Sequence, residues 1–460
     1  VELAFHNNET DAGYLKEPLF RKDASRAMVR GIINYFANKD GTSAVYPPES
    51  PNNLRVIQSQ NQTVLTWATP ESGGVNGSPA DSYVVYRSFD GRSWDNGVIV
   101  DGTSYQLDAC NETQYFRVSA RNSAGVSFPT EVLPIQNSIQ ENTVLIVSAF
   151  DRLQASSLYS HSTPVGTVKR LDIDKINGFD TAAIYGRSLE GMGIGFDSTT
   201  DDHIPNLTLE NYDLIIWISG EESTYDDTFT HAEQQKITAF LNNGGKIILS
   251  GAEILWDLDY RGDSSDKSFV NNVLGIYFEN DDADSYNVLG EGELTGMNLS
   301  FEFGSGAPYH VEYPDVISST HNVIARYGTG GIAGVLSEQF AFFGFPLESL
   351  TSEYELQNVL LQLIYALIEP TQIPSLNTMQ CEIQDGQQTG QPSAEPSTEP
   401  AFEPSAEPST EEPSTEEPAA DSTVPPEVDT TPQNPKRGGC GYIVHSKMEY
   451  FLIVIPILFC

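Results

Sequence analysis

The sequence predicts a multidomain chain: an α/β fragment, an all-β immunoglobulin-like sandwich, a doubly wound α/β domain, a disordered Pro/Ser/Thr/Glu stalk and a short apolar tail. Three observations predict it. Apolar residues recur with a helical period in the first forty residues, alternate with a period of two between Pro51 and Gln136, and form continuous runs separated by helical stretches from Asn142 to Glu369. At 460 residues, two to four domains are expected.

In residues 1–38, Val1, Leu3 and Phe5 read as a buried strand with one carboxylate, Glu2, in its middle. Leu15, Leu19, Ala24, Ala27, Met28, Ile32, Ile33 and Phe36 then fall three or four apart, as on a helix, with Asp11 as its N-cap. A carboxylate within a core strand is costly unless it is paired, metal-bound or catalytic; the alternative is a strand-edge Glu facing solvent. The segment reads as the end of a catalytic domain. The series Val1-Glu2-Leu3-Ala4-Phe5, Asn7-Asn8, Asp11-Ala12, Leu15, Pro18, Phe20-Arg21 and Ala24-x-x-Ala27-x-x-x-Gly31-Ile32 resembles the last strand and helix of the zinc-dependent N-acetylmuramoyl-L-alanine amidases. The resemblance implies that Glu2 is the catalytic acid/base beside a zinc-bound water. In that family the His, Glu and His ligands precede this strand. Zinc is therefore expected in a full-length parent, and none bound by this fragment, which alone should be inactive.

Residues 39–50 are a polar, Gly/Pro-rich linker. From residue 51 to 136 short alternating strands follow: Leu54 to Ile57, Val64 to Trp67, Tyr83 to Ser88, Tyr105 to Leu107 and Tyr115 to Ala120, divided by turns such as Asp90-Gly91 and Asn122 to Gly125. Such a series argues an antiparallel sandwich. Pro51-x-x-Leu54-x-Val56, Leu65-x-Trp67, Tyr83-x-Val85-Tyr86-Arg87 and Tyr115-x-Arg117-Val118-x-Ala120-x-Asn122-x-x-Gly125 resemble a fibronectin type III domain. That implies a buried core Trp at Trp67, a tyrosine corner at Tyr115, and a role in spacing or binding. Trp94 is expected to pack under its own hairpin, with sugar stacking as the alternative.

Residues 142–370 read as doubly wound α/β. Val144 to Val147, Asp213 to Gly220 and Lys246 to Gly251 are continuous apolar runs of parallel-strand type, and Gln234 to Asn242 and Glu353 to Leu367 are helical. The arrangement resembles the class I glutamine-amidotransferase-like fold. The turn Ser250-Gly251-Ala252-Glu253 would then be the nucleophile elbow, with Ala252 at the nucleophile position. Gly344 to Glu348 lacks the His of the active family, and His310-x-Glu312 follows no clear strand, so an inactive domain is expected. Glu221, Glu222 and Glu253 lie beyond strand C-termini, where such sheets bind ligands; solvated loops are the expectation, with a cation or sugar site as the alternative. Asp281-Asp282-Ala283-Asp284 lacks the Gly and distal Glu of an EF-hand loop and reads as surface charge.

Sixty-four acidic against 24 basic residues give a net charge of −40, which excludes a phosphate-clustering nucleic-acid surface. Cys110, Cys381, Cys440 and Cys460 lie far apart without metal spacing, so neither a zinc knuckle nor a disulfide framework is expected. Residues 371–435 form the stalk: units such as Pro392 to Pro400 repeat, and too little apolar surface exists to offset chain entropy. In residues 436–460, Gly439-Cys440-Gly441, a spacer and the run Tyr450 to Cys460 resemble a myxobacterial-type C-terminal sorting signal in which Cys440 is the anchor; a eukaryotic lipid-anchor signal has a similar outline. The run is about half the length that spans a bilayer. Together these imply a secreted, bacterial cell-surface protein whose partner is peptidoglycan, attached to the membrane through its tail. A non-catalytic adhesion or surface-carbohydrate-binding protein is the alternative.

Overall fold

Alternating β-branched and aromatic residues after Pro51 form the strands that period two predicts. The computed structural model describes residues 3–153, 159–164, 166–170, 177–225, 227–301, 308–369 and 373–381. Glu2, Cys440, the stalk repeats and the sorting tail lie outside them.

Leu3 and Phe5, expected in a buried strand, form no strand and are 45% and 56% exposed; two helices follow, α1 (Glu9–Lys16) and α2 (Pro18–Asp40). Asn8, not Asp11, is the N-cap of α1: its Oδ1 accepts from Asp11 N at 3.1 Å. Pro18 explains why one predicted helix is two, since it lacks the N–H that would continue α1 and suits the first turn of α2. Asp11 instead turns back, its carboxylate accepting from Phe5 N at 2.9 Å.

The sandwich has β1 (Asn52–Ser59), β2 (Gln62–Ala68), β3 (Ser82–Ser88), β4 (Val98–Val100), β5 (Ser104–Asp108), β6 (Gln114–Asn122), β7 (Gly125–Pro129) and β8 (Leu133–Ile135). One sheet is β1-β2-β5. The other runs β4-β3-β6-β7, with β8 also on β6. This is the strand partition of a fibronectin type III-like domain. Leu54, Val56, Leu65, Trp67, Tyr83, Val85, Phe116 and Val118 fill its core. Tyr115 departs from expectation. It is buried, but its hydroxyl makes no hydrogen bond, and the ring packs with Val132 and Ala183 toward the α/β unit. The corner hydrogen bond is therefore not formed. Trp94 packs on the same cluster, under the Arg117 guanidinium 4.2 Å from its ring, and so against neighbours beyond the hairpin expected to cover it.

The α/β unit continues with β9 (Val144–Ser148), β10 (Tyr159–Thr163), β11 (Gly166–Arg170), α3 (Thr181–Glu190), β12 (Asp197–Thr200), β13 (Leu214–Gly220), α4 (His231–Asn242) and β14 (Lys246–Gly251). Then come α5 (Ser264–Ser268), β15 (Ile276–Asn280), β16 (Asn287–Gly290), β17 (Asn298–Ser300), β18 (Val316–Ser319), β19 (Asn322–Tyr327), β20 (Ile332–Leu336), β21 (Phe340–Phe343) and α6 (Glu353–Leu367). Strands β12-β9-β13-β14-β21 are parallel in that order. In chain order this is 2-1-3-4-5, a doubly wound arrangement. The continuous apolar runs face two cores alternately: Val144, Ile146, Leu214 and Ile216 point to the layer of α3 and α6, while Leu145, Val147, Ile215 and Trp217 point to the layer of α4.

The two units are not separate beads. Strand β1 pairs antiparallel with β12, through Arg55 with Thr199 and Val56 with Ser198, so one sheet passes from the α/β unit into the sandwich. One apolar core likewise runs from Leu54 and Trp67 to Leu214 and Leu363. The segments 51–136 and 142–370, expected as separate domains, thus share one sheet and one core. At the seam, buried Asp197 accepts from Gln58 N (2.9 Å), Asn142 Nδ2 (2.8 Å) and Tyr212 Oη (2.8 Å).

Cys110 and Cys381 form a disulfide across 271 residues, which corrects the expectation of unpaired cysteines. Sequence spacing could not show it. Residues 373–381, expected as the start of the disordered stalk, instead return along the sandwich, with Ile139 N to Ser375 O and Asn111 N to Met379 O both at 2.7 Å, and this return brings the sulfurs together.

Candidate functional site at the strand C-termini

In a 2-1-3-4-5 sheet the chain leaves the first and third strands toward opposite faces and opens a crevice between them. Here those strands are β9 and β13. Phe150, Asp151 and Arg152 follow β9; Glu221, Glu222 and Ser223 follow β13; Glu253 follows β14. Gly220 ends β13 at φ +52, and a Cβ there would lie 2.2 Å from Cγ of Phe150, so glycine is required for this close approach.

The carboxylates are not solvated, contrary to the sequence expectation. Glu221 and Glu222 are 6% and 2% exposed. Glu222 Oε1 accepts from Asp151 N (2.6 Å) and Arg152 N (2.8 Å), which ties the two loops across the crevice. Its Oε2 is buried without a partner. Burial, reinforced by Asp151, pushes the Glu222 carboxyl up to about 9. Glu221 Oε1 accepts from Glu312 N, and burial holds it well above the usual range. Arg152 Nη1 donates to the carbonyls of Glu221 (2.6 Å) and Glu222 (2.9 Å) and lies 3.5 Å from Glu253 Oε2. His310 Nε2 is 3.4 Å from Glu312 Oε1, and both lie on a loop, as the sequence suggested.

The elbow is shifted by one residue from the sequence reading. Ala252 is buried with ordinary φ, whereas Glu253 adopts φ +59 at the strand-to-helix turn. The strained position that presents a side chain therefore holds a carboxylate. Burial raises the Glu253 carboxyl, which Arg152 and the Ser223 hydroxyl lower in part. Behind the turn, Ser250 is buried in a closed network: Tyr185 Oη lies 3.1 Å from Ser250 Oγ and donates to Glu348 Oε2 at 3.0 Å, while Tyr309 Oη donates to Glu348 Oε1 at 2.7 Å. Burial pushes Glu348 up to about 7. Asp315, fully buried, accepts from Leu255 N at 2.8 Å and so caps the turn after Glu253. Asp281 to Asp284 form a surface turn over buried Ala283.

No acyl-transfer nucleophile stands at this elbow. What it holds is a set of largely buried carboxylates beside the Arg152 guanidinium and the His310 imidazole. Sequence reading found the glutamates by position but missed Arg152, because nothing in Asp151-Arg152-Leu153 marks it. It also missed a second group near the same sheet edge: His231, Asp263 and Asp266, whose ligand atoms lie within 4.8 Å of one another.

No family model matches the chain, and no curated protein does. Among solved structures, the chain is similar to domains A168–A170 of titin, at 28% identity over 19% of this chain and 31% of that one, with a TM-score of 0.17. It is also similar to the sixth fibronectin type III domain of the human fibronectin type III domain containing protein 3, at 22% identity over 20% of this chain and 87% of that one, with a TM-score of 0.18. A third similar structure is a β-galactosidase from the psychrophilic Marinomonas ef1, at 12% identity over 49% of this chain and 29% of that one, with a TM-score of 0.30. The chain thus spans about a third of the titin fragment. Among the described residues, no helix is long and apolar enough to cross a membrane.

Proposed function

We propose that this chain is part of a secreted, surface-displayed bacterial N-acetylmuramoyl-L-alanine amidase, carrying its acid/base Glu2 but not its zinc ligands. The observation that carries the reading is α2. None of its 23 residues is buried. One side is fastened to the sandwich: Arg26 pairs with Glu49, Arg30 donates to the carbonyls of Gly74, Val75 and Asn76, and Asn34 accepts from Tyr46 Oη at 2.7 Å. The opposite side shows Val29, Ile32 and Phe36, each about half exposed and spaced three and four apart. An apolar stripe of this kind is stable when another surface covers it. The amidase-like motif through Glu2 makes an amidase domain the surface that fits.

The Cys110–Cys381 disulfide supports an oxidising, extracytoplasmic location. The zinc that amidase chemistry uses does not fit the described residues, which hold no His, Glu and His set near α1. Glu2 would supply the proton transfer, and Cys440 the attachment. The α/β unit would bind rather than cleave, since its elbow presents Glu253.

The crevice favours a second reading within the first. Buried Glu221 and Glu222 beside Arg152 and Glu253 suit the hydroxyls of a surface carbohydrate.

The test uses the native, full-length gene product on purified peptidoglycan, read as free L-alanine amino groups released. The expected result is chelator-sensitive release, lost by orders of magnitude in Glu2→Gln. Release that the substitution leaves unchanged, or none from the wild type, sinks the amidase assignment. Sedimentation of the chain with glycan strands, weakened by Glu253→Gln, tests the crevice.

A further inference from the structure

Helix α4 begins at His231, on the layer opposite α3 and α6. Thr230 caps it, and Glu233 closes the capping box, so the His231 ring is not needed for the helix to start. The ring instead faces the segment after β14. Its Nε2 lies 3.5 Å from Asp263 Oδ2 and 3.4 Å from Asp266 Oδ1. Each carboxylate is already held by its other contacts. Asp263 Oδ1 accepts from Ser265 N (2.6 Å) and Asp266 N (3.2 Å), leaving Oδ2 for the imidazole side. Asp266 Oδ2 accepts from Asp263 N at 2.8 Å, and buried Gln234 donates to Oδ1 at 2.7 Å.

We propose that His231, Asp263 and Asp266 form a binding site for a zinc-type divalent cation that clamps α4 to the segment after β14. The donor set carries the class: one imidazole nitrogen with two carboxylates selects zinc-like ions over the all-oxygen sites of calcium and magnesium. The spacing agrees. Zinc bonds of about 2.0–2.1 Å put neighbouring tetrahedral ligands about 3.3–3.4 Å apart, which matches both His–Asp separations. The hydrogen bonds on the outer carboxylate oxygens are the kind that orient ligands in built metal sites. An independent feature points the same way. These three residues line an open cavity of about 300 Å³ with Asp227, Phe229, Asp257 and Leu258. The cavity leaves room for water in a fourth position and gathers four carboxylates around one imidazole. The site is distinct from the amidase chemistry proposed above, and from the sequence expectation that this chain holds no zinc.

The test uses the full chain stripped with chelator, then loaded with Zn²⁺ or with Co²⁺ as a spectroscopic probe. The wild type should retain one more equivalent after gel filtration than His231→Ala, and should show a Co²⁺ absorption band that the variant lacks. Zn²⁺ should raise the melting temperature of the wild type and not that of His231→Ala. Because Thr230 and Glu233 still cap α4, that variant keeps its fold; Asp266→Asn, which keeps the shape of the side chain, should weaken binding at least tenfold. Equal metal content in wild type and His231→Ala, or no retained metal in either, overturns the site.

Discussion

Removing the Cys110–Cys381 disulfide should loosen the whole described unit, and its effect can be worked from the structure. The bond closes a loop of 271 residues. The chain-entropy relation for a loop of that size gives about 5–6 kcal/mol, a ceiling that native disulfides approach only in part; about 2–5 kcal/mol is the usual cost of losing one. Residues 373–381 also keep backbone bonds to Asn111, Asn137 and Ile139, which hold the strand in place after reduction and argue for the lower half of that range. At about 2.1 cal/mol/K per residue, a cooperative unit of about 380 residues has an unfolding entropy near 0.8 kcal/mol/K, so a loss in that lower half, about 2–3.5 kcal/mol, should lower the melting temperature by about 3–4 °C. The assay is calorimetry of Cys110→Ser/Cys381→Ser against wild type, with thiols counted in denaturant. The recombinant wild type should show two thiols, from Cys440 and Cys460, and should lose its extra stability in reductant. Four thiols in the unreduced wild type, or equal melting temperatures with the bond shown intact, would refute the reasoning.

Stability should also rise on acidification. Burial pushes Asp197 up to about 6, Glu348 to about 7 and Glu222 to about 9, all above their unfolded values near 4. A group with a raised folded value binds its proton more tightly when folded, so its penalty grows as pH climbs from about 4 to the folded value. Melting temperature should therefore increase steadily from pH 9 to about pH 5; a flat or opposite profile contradicts the burial of these groups. A fragment of residues 142–370 should be poorly soluble or self-associating beside one of residues 51–381, because it bares the β12 edge that β1 covers; a monomeric, equally stable short fragment would show the seam to be dispensable. Gly220→Ala should cost at least about 2 kcal/mol in urea denaturation, since it combines a positive φ with a clash on Phe150; wild-type stability would mean the crevice wall is softer than its geometry.

Local pattern made most elements legible. Period two marked the sandwich strands. The unbroken runs at Val144, Leu214 and Lys246 marked strands covered on both faces, and the structure buries every residue of β9 and β13. Buried Trp67 was legible through the fibronectin type III resemblance, and it is 5% exposed. What the sequence hid was long-range. Arg55 and Val56 read as one more sandwich strand, and nothing local says that their outer edge pairs with β12. Asp263-x-x-Asp266 reads as a helix-capping pattern, and His231 stands 32 residues before it, so the cluster emerges only when α4 is laid against the next segment. The elbow was found by motif and misplaced by one residue, because the positive φ falls at Glu253 rather than at Ala252, which local sequence does not mark.

The seam gives the fibronectin type III-like unit a structural part beyond the spacing or binding role that the resemblance implies. A parallel sheet is stable with both faces covered and its edges paired. Strand β12 has only four residues, Asp197–Thr200, and would be a bare edge beside β9. Strand β1 covers it, and Asp197 marks the junction: a carboxylate at this depth is tolerated because Gln58, Asn142 and Tyr212 each donate to it, one from the sandwich, one from the connector and one from the α/β unit. Separating the units would strand all four groups at once. The same logic governs the C-terminal side. The chain leaves α6, crosses back to the sandwich and is bonded there at Cys381. A pull on the chain beyond that residue therefore meets the disulfide and the loop between β5 and β6 before it reaches α6.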